Sequence, residues 1–136
     1  MSRENVEIAR ASIEGWNLGR FDVWARPGTY HQRVEVISDI SRRVEGSDRS
    51  WQGPGGLRRF WDEARSLWGS SIQASDIRDL GDTVLVLGDL QTRGSASGVT
   101  LDTPIAYVFR LDEGLIRKVR LYMDPSEALK AVGLEE

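Results

Sequence analysis

The feature that most constrains this chain is a change of period near residue 70. Before it, apolar residues recur every three or four positions; after it, they recur every second position. The first spacing lines one face of a helix and the second lines one face of a strand. Strands are therefore expected at about 71–79, 83–93, 99–111 and 115–123. They are separated by Gly81-Asp82, Gly94 to Gly98 and Asp112-Glu113-Gly114. Turns this short join antiparallel neighbours.

The first half reads as helices with one hairpin between them. Over residues 3–18, Val6, Ala9, Ile13 and Trp16 fall on one face, with Ser2 as a cap and Gly19 at the end. Phe21 to Arg26 adds a turn of helix that Pro27-Gly28 stops. The stretch 34-VEVISDI-40 alternates, with Val34, Val36 and Ile40 on one side and Glu35 and Asp39 on the other, as in a half-buried strand. Gly46-Ser47-Asp48 marks a turn, and Ser50-Trp51-Gln52 returns as a short strand. Pro54 and its glycines open a second helix running through Trp68, with Leu57, Phe60, Trp61, Ala64, Leu67 and Trp68 on its buried stripe. The chain ends in a helix over 124–133, with Asp124 as N-cap, Pro125 at N1, Glu127 at N3 and Gly133 after its end. Helices followed by a curved antiparallel sheet predict one α+β domain over 1–136, with the helices on one sheet face.

Composition narrows the function classes. A length of 136 residues suits a single core. The longest apolar runs, such as 84-VLVL-87 and 105-IAYVF-109, are too short to span a membrane. The net charge of -3 argues against a general nucleic-acid binder, and the sixteen arginines are scattered. There is no cysteine, hence no disulfide framework or thiol nucleophile. Met1 to Asn5 lacks the apolar run of a secretion signal, so a cytoplasmic protein is expected.

Six segments in order resemble the nuclear transport factor 2-like superfamily, in particular its bacterial SnoaL-like members. They are 4-ENVEIARASIEGWNLG-19, His31 with Val34-Glu35, 53-GPGGLRRFW-61, 80-LGDTVLVLG-88, 97-SGVTLDTPIAYVFRLDEGLI-116 and 122-YMDPSEALKAVGL-134. The resemblance implies a cone in which a strongly bent sheet wraps the first helix and leaves an internal cavity. It also implies a homodimer through the outer sheet face. The superfamily holds ketosteroid isomerases, polyketide cyclases, dehydratases and epoxide hydrolases, and also non-catalytic transport and scaffold proteins. One departure is 21-FDVWARPGTYHQR-33, where Pro27-Gly28 interrupts a segment that in the family runs from helix into strand.

Steroid isomerisation needs a carboxylate base and two oxyanion donors, a tyrosine and a protonated acid. Transferred from the family, the tyrosine position falls at Ser12, the base at Val36 and the acid donor at Tyr107. The aspartate of polyketide cyclases falls at Leu121. Three of these four residues cannot do the family's work, so neither chemistry is expected here. The implied pocket lining is Ser12, Trp16, Val36, Trp51, Trp61, Val119, Leu121 and Met123.

Three polar residues are the candidates for chemistry. Tyr107 shares strand parity with Val99, Leu101, Ile105 and Phe109; it is either a ligand's hydrogen-bond donor or a core tyrosine with a backbone or water partner. Asp39 would face inward if its strand slips or bulges, whereas the alternation makes it a solvated edge residue. His31, the single histidine, is either a general base at the cavity mouth or a loop residue. One histidine without cysteine gives no metal-ligand spacing, and no cofactor is implied. Parity places Arg120 and Tyr122 with Ile116 and Lys118 on the outer face, as a dimer interface or a solvated surface.

The expected protein is thus a homodimeric cone binding a small, largely apolar molecule. Lyase, isomerase or hydrolase chemistry would draw on Tyr107 and on Asp39 or His31. The alternative is a non-catalytic interaction module whose cavity is filled by its own side chains.

Overall fold

The computed structural model describes residues 2–39, 50–68, 70–93 and 100–134. Ile40, the turns at 46–48 and 94–98, and Val99 lie outside them. Helix α1 (Ser2–Leu18) is followed by the short α2 (Phe21–Trp24), strands β1 (Tyr30–Ser38) and β2 (Ser50–Gln52), and helix α3 (Gly53–Trp68). Strands β3 (Ser70–Asp79), β4 (Thr83–Arg93), β5 (Thr100–Asp112) and β6 (Leu115–Tyr122) come next, and α4 (Pro125–Ala131) closes the described chain. The six strands form one sheet in the order β2-β1-β6-β5-β4-β3.

The expected α+β cone is the observed fold. Within it, β1 pairs parallel with β6 while the other neighbours are antiparallel, so the sheet is mixed. The connection from β1 to its neighbour β6 passes through most of the chain, which is how a parallel pair arises without a hairpin.

The inner core forms as the periodicities require. Ala9, Ile13 and Trp16 of α1 and Leu57, Phe60, Trp61 and Ala64 of α3 bury against Val34, Val36, Val84, Val86, Ile105, Phe109, Val119 and Leu121 of the sheet. Helix α2 lies so close to α1 that a Cβ on Gly15 would stand 2.6 Å from the Trp24 Cα. Only glycine permits that approach, and it seats the Trp24 indole in the core.

Two sequence expectations give way here. The helices do not share one sheet face. Ala128 of α4 is fully buried with Leu85, Ala106, Val108 and Tyr122, whose parity is opposite to that of the inner residues. Val84, Leu85 and Val86 are all buried, so this unbroken apolar run in β4 is a strand covered on both sides. The parity along β6 also breaks. Ile116 belongs to the inner core, because the β5–β6 register shifts between Arg110 and Leu111. Arg120 keeps the outer face, with its guanidinium 4.7 Å from the Tyr122 ring centroid, and Tyr122 is buried within its own chain beside α4.

Candidate functional site in the cone

Where α1, α2, β1, α3, β3, β5 and β6 converge, the core holds a partly open cavity of about 30 Å³. That is room for about two water molecules. Its walls are chiefly apolar, from Trp16, Trp24, Val36, Phe60, Phe109 and Leu121. Three hydroxyls interrupt them: Ser12 from the middle of α1, Tyr30 from the start of β1, and Tyr107 from β5.

Ser12 is 4% exposed, and its Oγ lies 2.7 Å from the Tyr30 hydroxyl, with either atom able to donate. The Tyr107 ring stacks on Phe109 at 5.9 Å. Among the described residues no group hydrogen-bonds its hydroxyl, and that oxygen keeps some exposure, since the fully buried side-chain atom left without a partner is Arg120 Nε. Burial pushes both phenols well above the usual tyrosine range. For Tyr30 the serine hydrogen bond acts in the opposite direction more weakly, and the nearby Tyr107 adds a further upward push. Both phenols are therefore neutral at physiological pH and retain a proton to donate. The site can hold an acceptor oxygen against hydroxyl donors within apolar walls.

Of the eight residues expected to line a pocket, Ser12, Trp16, Val36, Val119 and Leu121 line this cavity. The other three pack outside its wall. Trp61 lies 5.1 Å from both Trp16 and Trp24, and Trp51 packs edge-on against Phe60 while its indole N–H donates to Glu63 Oε2 at 2.7 Å. Met123 is half-buried against the inner core.

The three candidates for chemistry are not brought together. Only Tyr107 lines the cavity. Asp39 is 8% exposed and accepts a hydrogen bond from Arg120 Nη2 at 3.2 Å. Arg120 pairs in register with Ile37, on the face opposite Val36 and Val119. His31 lies within β1 rather than in a loop. Its Nδ1 accepts from the Arg33 N–H at 2.9 Å, and its Nε2 is 4.0 Å from Asp112 Oδ2. It lines a separate outer depression beside Phe21 and Arg58.

Tyr30 and Trp24 are among the cavity residues that the sequence pattern passes over. The first strand reads as starting at Val34 because its pairing with β6 shifts register between Tyr30 and Glu35, which interrupts the alternation. The hydrogen bond from the Ile116 N–H to the Thr29 carbonyl nevertheless holds Tyr30 against the sheet. Trp24 sits on a helix of only four residues, too short to show a period.

Among the described residues no group of three or more histidines or carboxylates is placed to hold a metal ion, and no helix is long and apolar enough to cross a membrane. No protein-family model matches the chain, and no curated protein matches it. Solved structures do match over nearly its whole length. TerC co-crystallised with polyporic acid superposes with a TM-score of 0.76 at 18% identity, over 96% of this chain and 98% of that one. An NTF2-like protein of unknown function from Burkholderia pseudomallei gives 0.75 at 13% identity, over 95% and 97%. A putative SnoaL-like polyketide cyclase from Jannaschia sp. CCS1 gives 0.73 at 18% identity, over 99% and 95%. The chain thus has the NTF2-like fold, the cone shared by SnoaL-like and ketosteroid isomerase-like proteins.

Proposed function

We propose that the cone binds a small, largely apolar molecule whose carbonyl, enol or phenol oxygen takes a hydrogen bond from Tyr107. The observation that carries this reading is the Tyr107 hydroxyl, which lines a chiefly apolar cavity and takes no hydrogen bond from the described residues. A hydroxyl set among apolar walls can give a ligand oxygen one hydrogen bond, worth about 1 kcal/mol net. The Ser12–Tyr30 pair stands beside it as a second polar point. Support by analogy comes from TerC, which was co-crystallised with polyporic acid.

Binding is favoured over catalysis by where the other polar groups lie. Asp39 is held by Arg120, and His31 lies beside Asp112 outside the cavity. Hydroxyl donors stabilise an oxyanion but do not remove a proton from carbon at neutral pH. The proposal includes a homodimer through the outer sheet face, supported by the half-exposed row of Glu35, Lys118 and Arg120 on β1 and β6.

One observation favours a second reading, a non-catalytic interaction module. At about 30 Å³ the cavity is nearly filled by its own walls, far below the ~300 Å³ of an ordinary ligand pocket. A ligand must displace a side chain to enter. Native mass spectrometry of protein purified from its own host separates the two. A dimer carrying an oxygen-bearing apolar adduct is expected. A bare dimer whose melting temperature no aromatic ketone raises would establish the module instead, and a monomer would remove the interface.

A further inference from the structure

The larger room in this molecule lies outside the cone's core. Between the α2–β1 connection and the start of α3 is a depression of about 380 Å³, within the range of small-molecule sites. It arises from the segment that departs from the family pattern. Pro27 and Gly28, the latter at φ +90°, stop the helix and turn the chain, so that Arg26 and His31 reach the same hollow as Pro54 and Arg58.

Its walls combine apolar surface with positive charge. Phe21, Leu57 and the Tyr30 ring supply the apolar part. The Arg58 guanidinium lies over the Phe21 ring, 4.5 Å from its centroid. Arg58 also pairs with Asp62 at 3.3 Å, but both side chains are 58% exposed, so the pair competes weakly for the guanidinium. The Arg26 side chain lines the hollow and has no hydrogen-bond or ion-pair partner among the described residues. Because His31 Nδ1 accepts a backbone N–H, a neutral His31 carries its proton on Nε2 as a donor. No carboxylate is among the described residues that line the hollow.

We infer that this depression is a second ligand site, for a small planar aromatic carboxylate. The ring lies against Phe21 and Leu57, and the carboxylate is held by Arg26 and Arg58, whose forked donors match it. Tyr30 lines both this site and the inner cavity, so it is the partition between them. The outer site needs no occupant in the inner one.

The test is calorimetric titration of the full chain with 2-naphthoate at rising salt. Saturable binding of naphthoate is expected, weakened by salt. The double variant Arg26→Ala/Arg58→Ala should lose about tenfold or more in naphthoate affinity while unfolding at the same denaturant concentration as the parent. Tyr107→Phe should leave naphthoate binding unchanged, which distinguishes this site from the cavity proposed above. No saturable binding, equal binding by the double variant, or loss of binding in Tyr107→Phe would each overturn the inference.

Discussion

Three hydroxyls define the chemistry available at the scale of single residues. Ser12 and Tyr30 satisfy one another at 2.7 Å, whereas Tyr107 has no such partner among the described residues. Burial holds both phenols above the ordinary tyrosine value of 10.0. An acid whose folded value is raised contributes its stability fully below the unfolded value, and that stability is lost as pH rises beyond it. Stability should therefore be insensitive to these phenols up to about pH 10 and should fall above it. Absorbance titration should show two late phenolate transitions in the folded protein, one missing from Tyr30→Phe and one from Tyr107→Phe. Ordinary titration of all three tyrosines would contradict the burial. Tyr107 can be read from the sequence because it shares parity with Ile105 and Phe109, and the β4–β5 register runs through all three without a shift. Tyr30 cannot, because a register shift separates it from the alternating run that marks its strand.

Among the elements, helices with a full period and strands with clean alternation match their sequence signatures within a residue or two. Expectation fails where a strand is apolar on both sides or bulged, since alternation then no longer tells one face from the other. Helix α4 illustrates both outcomes. Its start is set as the sequence indicates, with Asp124 Oδ1 accepting from the Ser126 N–H at 3.0 Å. Its docking on the outer sheet face follows from Leu85, Ala106 and Val108, which alternation alone does not assign to a partner. Asp124→Ala should cost about 1 kcal/mol in denaturant unfolding, through the lost cap. Unchanged stability would contradict the capping role.

For the whole molecule, the fold follows from the order of elements, but the ligand does not, because one cone serves many chemistries. Transferring family positions to this chain gives Ser12, Val36, Tyr107 and Leu121. All four line the cavity, although Ser12, Val36 and Leu121 are not the residue types that the resemblance implies there. What the sequence cannot show is volume, which depends on how Trp16, Trp24 and Tyr30 fill the space. If the proposed ligand binds there, one hydrogen bond from Tyr107 should be a measurable share of its binding energy. The direct measurement is the affinity of wild-type protein and Tyr107→Phe for an uncharged aromatic ketone, 2-acetylnaphthalene, by calorimetric titration at neutral pH. Loss of one buried hydrogen bond should weaken binding by roughly fivefold to tenfold, with folding intact. Equal affinity of the two proteins, or no binding by wild type, would contradict the assignment of Tyr107 as the cavity's ligand donor.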